Sequence, residues 1–399
     1  MKKLPCRNLN KVLVAAIAAL GLLTAAPVMA GALEDGMTAF KKGNYAEAHR
    51  LWLPLAQQGN SQIQTMLGAM YVEGKGVKQN YTLARQWYEK AATQGDADAQ
   101  YNLGVLYEKG HGVAQNYALA RRWYEKAAAQ GMAKAQYNLG ILYANGRGVA
   151  QNYALARQWY EKAATQGHAG SQYNLGVMYA KGRNVTQNDV LARQWFEKAA
   201  KQGNADAQYN LGILYANGRG VAQNYALAKQ WYEKAAKQGK TDAQYNLGVL
   251  YYNGQGVTQN YALAKQWLEK AAAQGDAGAQ YNLGALYNDG RGVAQDYSLA
   301  RQWYEKAAAQ GNVDAQTNLG TLYLNGKGVT QNYAFAKQWF EKAATQGDAI
   351  AQFNLGVLYA NGHGVTQNYA LARQWWEKAA AQGDETAKEN LQILKSKGY

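Results

Sequence analysis

The chain has 399 residues, a net charge of +15, one cysteine and three prolines. A single cysteine rules out a disulfide framework and a cysteine metal cluster. The basic charge favours acidic partners or anionic surfaces, and modest charge density with 31 tyrosines argues against a disordered chain.

The first 30 residues read as an export leader. Lys2, Lys3, Arg7 and Lys11 precede the apolar run "VLVAAIAALGLL", and "APVMAGA" then offers small residues for cleavage after Ala30 or Ala32. The run is too short to span a bilayer comfortably as a helix, so the mature chain is expected to carry no membrane span. Cys6 lies ahead of the run, whereas a lipid-accepting cysteine would follow it. Removing the leader removes four positive charges and no negative one, and the net charge falls to +11.

Residues 31–60 form a segment of their own. Beyond them a 36-residue period fills 61–384 with nine units, without insertion or deletion. "YNLG" or a near copy starts at Tyr101, Tyr137, Tyr173, Tyr209, Tyr245, Tyr281, Thr317 and Phe353, and tryptophan recurs from Trp87 to Trp375 at the same spacing.

In the unit 97–132, Ala99, Leu103, Leu106 and Tyr107 recur at helical spacing and predict a first helix over Ala97–Lys109. "GHGV" breaks it. Asn116 then N-caps a second helix, a place that Asp296 takes in another unit. Ala120, Trp123, Tyr124, Ala127 and Ala128 mark the apolar face of that helix, and Gly131 ends it. Asn184 replaces the second loop glycine in one unit, which predicts positive φ at this register throughout. Val113 and its equivalents are expected to tuck the loop onto the helix pair.

Gly104 lies inside the first helix, where glycine costs about 1 kcal/mol relative to alanine. Its repetition predicts close packing by the following helix. The final copy, from Asp384, has a first helix and no second, and its matching residue is Gln392. Glu385, Lys388, Glu389, Lys395 and Lys397 make that helix polar, as a terminal cap over 385–399 requires.

Ala99, Leu103, Gly104, Tyr107, Gly110, Gly112, Val113, Ala120, Trp123, Tyr124, Lys126, Ala127, Ala128 and Gly131 together resemble the Sel1-like repeat, a relative of the tetratricopeptide repeat. Gly36–Gly59 looks like an ordinary tetratricopeptide unit, because Gly36 stands 12 positions before Ala48 whereas Gly104 stands 16 before Ala120. The unit 169–204 departs by carrying Asp189 in place of tyrosine.

The resemblance implies an all-α fold: a right-handed α/α solenoid of stacked antiparallel helix pairs, first helices lining the concave side, with 21 helices in all. It further implies a non-catalytic scaffold that binds a protein or peptide. Exported relatives work in the envelope or meet host proteins, including immunoglobulins. A periplasmic scaffold is therefore the leading expectation, and a secreted or surface-displayed binder of a host protein is the alternative.

Positions that vary between copies are free of the stacking constraint and are the candidate partner contacts. One column near the end of the first helix holds Glu108, Tyr252, Asn288 and Leu324, with alanine in four other units. Its neighbour holds Lys109, Asn145, Lys181 and Asn217. A loop column holds Arg147, Arg183, Arg219, Arg291 and Lys327, a basic stripe suited to an acidic protein face or an anionic glycan. Arg121 and Glu125, four apart on one helix, are expected to pair.

Nucleic acid is not an expected partner: the aromatics sit at core spacing and the leader directs the chain away from cytoplasmic DNA and RNA. The four histidines, His49, His111, His168 and His363, are scattered, and no H-E-x-x-H or nucleophile elbow occurs. Cysteine-rich exported relatives linked to penicillin binding carry cysteine pairs that are missing here. No catalytic residue, metal or cofactor is expected.

Overall fold

A polar cap and a glycine bracket each short helix. Asp96 accepts from the Ala99 amide and starts a 13-residue helix that Gly110 ends at φ +70°. Asn116 accepts from the Leu119 amide and starts the next, which stops at Gln130 with Gly131 at φ +89° behind it. These caps satisfy amides and carbonyls that short helices would otherwise leave orphaned.

The structure, a computed structural model, describes residues 27–399, with side chains from residue 31. The expected leader at 1–30 lies outside the described residues, apart from the backbone of 27–30. Among the described residues there are 21 helices and no strand. In chain order α1 to α5 are Pro27–Lys41, Tyr45–Gln57, Ser61–Glu73, Tyr81–Thr93 and Ala97–Lys109; α6 to α10 are Tyr117–Ala129, Ala133–Asn145, Tyr153–Thr165, Ala169–Lys181 and Asp189–Lys201. Then α11 to α16 are Ala205–Asn217, Tyr225–Lys237, Thr241–Asn253, Tyr261–Ala273, Ala277–Asp289 and Tyr297–Ala309; α17 to α21 are Val313–Asn325, Tyr333–Thr345, Ala349–Asn361, Tyr369–Ala381 and Glu385–Ser396. They form two compact units, one ending at Gln202 and one running Gly203–Tyr399. Each is an all-α solenoid of stacked helix pairs. Among the described residues no helix is long and apolar enough to cross a membrane.

The core of a repeat is narrow. Ala99, Leu103, Ala120, Tyr124 and Ala127 are fully buried, and each large apolar side chain so placed contributes about 1.5–3 kcal/mol. A Cβ on Gly104 would lie 2.6 Å from the Tyr124 ring, so the glycine is there to admit that ring. The N-terminal pair repeats the arrangement without the loop extension: a Cβ on Gly36 would overlap the Trp52 indole. In the second unit the backbones of consecutive first helices, α13 and α15, α15 and α17, α17 and α19, approach each other, which puts first helices on its inner side.

The loop register has positive φ in all nine repeats, Asn184 at 55° among them. A Cβ on Gly112 would meet the Tyr81 backbone carbon at 2.4 Å, so this loop rests on the start of the preceding second helix. Val77 and Val149 pack against the core as expected.

The tryptophans differ from expectation. Trp123 is half-buried at the margin, not in the core, and Lys126 Nζ lies 4.3 Å from its ring centre. The same pair recurs in all nine repeats, from Lys90 over Trp87 to Lys378 over Trp375. The lysine is three residues on, on the same helix face, and keeps that edge of the indole at the surface.

Candidate functional site

The residues common to all repeats are occupied by the stack itself. Buried Gln100 donates to the Ala92 carbonyl of the preceding repeat at 3.1 Å and accepts from Gln130 of its own at 2.9 Å. In the second unit Gln244 does the same between Ala236 and Gln274. This glutamine ladder was missed in the sequence reading. Its signal was a polar residue kept unchanged in nine copies beside positions that vary. Arg121 pairs with Glu125 at 2.6 Å as expected, and Tyr143 of the next repeat donates to that carboxylate at 3.4 Å.

The basic loop residues do not simply project into solvent. Lys75, Arg147, Arg183 and Lys327 reach back 30 residues to the first tyrosine of the preceding second helix, whereas that place is Asp189 for Arg219, and Arg291 lies over Tyr252. Arg147 lies 5.6 Å from the Tyr117 ring centre, Arg183 5.9 Å from Tyr153 and Lys327 5.1 Å from Tyr297. His111 and His363 stack at 4.6 Å on Tyr81 and Tyr333. Such a contact at an exposed site is worth about 0.5–1 kcal/mol. Arg147, Arg183, Arg291 and Lys327 remain exposed, so their charge still faces a partner; Arg219 is half-buried.

At the end of the first helix the backbone is fixed and the side chain is not. Gln115 donates to the Glu108 carbonyl at 2.8 Å, and Gln151, Gln259, Gln295 and Gln331 do so at Ala144, Tyr252, Asn288 and Leu324. The stack thus uses this position's carbonyl and leaves its side chain to vary. Glu108 accepts from the buried Tyr124 hydroxyl at 2.6 Å, and burial together with that carboxylate pushes the phenol well above its ordinary pKa. Tyr252 accepts from Arg291 Nη1 at 2.8 Å, joining two candidate columns. Asn288 donates to Asp289, and Leu324 packs against the Ala336–Phe340 cluster. Lys109, Asn145, Lys181 and Asn217 are exposed at their helix ends.

Two further candidates come together in the first unit. Asn145 and Arg183 line a cleft of about 320 Å³ between α7 and α9, with Ala144, Tyr153, Tyr160 and Asn174. Its volume is at the small end of ligand-site sizes. Its walls mix apolar side chains with three tyrosines, two amides and a guanidinium. Among the described residues no group of three or more histidine, cysteine or acidic side chains is placed to hold a metal ion.

The Sel1 repeat family model matches nine consecutive segments from 62–96 to 349–384. A protective antigen present in uropathogenic Escherichia coli strains, described as displaying an SLR fold, is 33% identical; the match covers 98% of this chain and 91% of that one, with a TM-score of 0.67. A Sel1 repeat protein from Oxalobacter formigenes is 36% identical over 60% of this chain and 96% of its own, with a TM-score of 0.55. No curated protein matches. Proteins built from these repeats are in general protein-interaction scaffolds. Nine consecutive matches, and a full-length relative of the same architecture, place this chain in the Sel1 repeat family.

Proposed function

We propose that the chain is a non-catalytic interaction scaffold of the bacterial periplasm or cell envelope, gripping a protein or peptide along the inner ends of its first helices. The observation that carries this is the division of labour within each repeat. Stacking takes the buried glutamine, the tyrosine, the glycine and the helix-end carbonyl, and leaves side chains such as Asn145, Asn288 and Leu324 to vary. The export leader expected from residues 1–30 of the sequence supports the compartment. The exposed loop cations favour an acidic protein face, with an anionic glycan as the lesser candidate.

A secreted or surface-displayed binder of a host protein, such as an immunoglobulin, is the second reading. It is favoured by the relative described as a protective antigen present in uropathogenic strains.

Photo-crosslinking amino acids at 145, 288 and 324, with controls at exposed second-helix positions 122 and 158, test both. Each purified variant is irradiated in periplasmic extract and in serum. One discrete adduct at the first-helix positions and none at the controls is expected in one fluid, and the fluid decides between the readings. Equal labelling at both sets of positions, or no adduct in either fluid, would sink the scaffold reading.

A further inference from the structure

Repeats 97–132 and 133–168 bury the same tyrosine and differ in what stands over its hydroxyl. Tyr124 donates to Glu108 Oε2 at 2.6 Å, a short charge-assisted bond. In the next repeat Tyr160 is also buried, 4% exposed against 0% for Tyr124, and the residue in the register of Glu108 is Ala144. Alanine brings no acceptor and leaves room. Ala144 and Tyr160 both line the 320 Å³ cleft. Asn174 of the following helix lines the same cleft beside Tyr160. Arg183, beside Tyr153 at the rim, adds a cation.

We propose that this cleft receives a glutamate side chain of a partner polypeptide. Its carboxylate accepts from Tyr160 the hydrogen bond that Glu108 accepts from Tyr124, and it pairs with Arg183. The inference rests on the scaffold reading above and names the partner's chemistry. Ile141 and Val177 in the walls suit the two methylenes of glutamate, and the chain's own occupant in the neighbouring repeat is that same side chain. The combination occurs once in the nine repeats. Ala216 and Tyr232 are followed by Gln255 in the loop column, Ala180 stands over Phe196, and Tyr252 over Leu268.

Two substitutions isolate the site, and both have a natural precedent here: Tyr160→Phe copies Phe196 and Ala144→Glu copies Glu108. The full chain is titrated with N-acetyl-glutamic acid α-amide and, separately, with N-acetyl-glutamine amide. The Asn174 side-chain amide and the Arg183 Nε–H are followed by NMR. Saturable shifts are expected with the glutamate compound. Binding of the glutamine compound, or of the glutamate compound to either variant, is expected to be at least about tenfold weaker, the cost of losing one charged hydrogen bond. Equal response to both compounds, unchanged binding by both variants, or no saturable shift overturns the proposal. A partner captured equally by native chain and Ala144→Glu removes this site and leaves the scaffold reading intact. Carboxylate binding in the cleft with no crosslinked partner does the reverse.

Discussion

Gly104 and Gln392 occupy the same place in the 36-residue register, and their surroundings are opposite. Gly104 is buried under the Tyr124 ring, whereas Gln392 is exposed on α21, where only Ala387 and Leu394 are buried. Among the described residues no helix packs over Gln392. The identity of the residue is thus set by the neighbour across the helix pair, not by the helix that carries it.

The largest effect should come from putting leucine at both places. Gly104→Leu pushes a side chain into a ring that has nowhere to move, and about 3 kcal/mol should be lost, the upper end for overpacking. Gln392→Leu should stay within about 0.5 kcal/mol, as for most surface changes. Urea midpoints of the two variants give the contrast, and equal shifts would break the comparison. Next in size is Gln244→Leu. It leaves the Ala236 carbonyl and the Gln274 amide without their partner and should cost about 2 kcal/mol. A neutral outcome would show that the ladder follows the stack and does not hold it.

The smallest effect concerns helix caps. His168 stands where Asn204 and Asp276 stand in later repeats, and its Nδ1 accepts from the Ser171 amide at 3.2 Å. Burial, and then the Lys134 charge, hold its pKa below the ordinary histidine value. The neutral ring is therefore the folded form. Its contribution is complete above the unfolded pKa of about 6.5 and is lost as pH falls below that value toward the lower folded pKa. The loss should reach about 1 kcal/mol, the worth of a cap. The protection of Ser171 and Gln172 against hydrogen exchange, taken relative to the intrinsic rate at each pH, should fall on acidification, and His168→Asn should remove the effect. The same pH response in the asparagine variant would assign it to another group.

Helix limits, caps, the glycine at 104 and the positive φ at Asn184 were legible because each is a local rule written nine times. What escaped the sequence reading was contact across the seam. A buried glutamine looks like a flaw in an amphipathic pattern until the carbonyl it meets, eight residues back on another helix, is known. Trp123 reads as core by periodicity, yet it lies at the margin, where Lys126 covers it. The loop cations read as a free stripe because nothing in their spacing reveals the tyrosines beneath them. The cleft at Ala144 was legible only as a varying column, since its opening depends on a tyrosine 16 residues later and an arginine 39 residues later.

The backward reach of each loop carries a consequence for how such a chain changes over generations. Six loop residues, Lys75, His111, Arg147, Arg183, Lys327 and His363, find their tyrosine at the start of the second helix in the copy before, and at Tyr369 Tyr399 takes that place at 4.1 Å. A whole 36-residue copy gained or lost by unequal recombination therefore brings or removes complete contacts, and no compensating change is needed elsewhere. A gain of 35 or 37 residues would misalign every seam beyond it. Selection can thus lengthen the protein in single steps while point mutation separately rewrites the variable column.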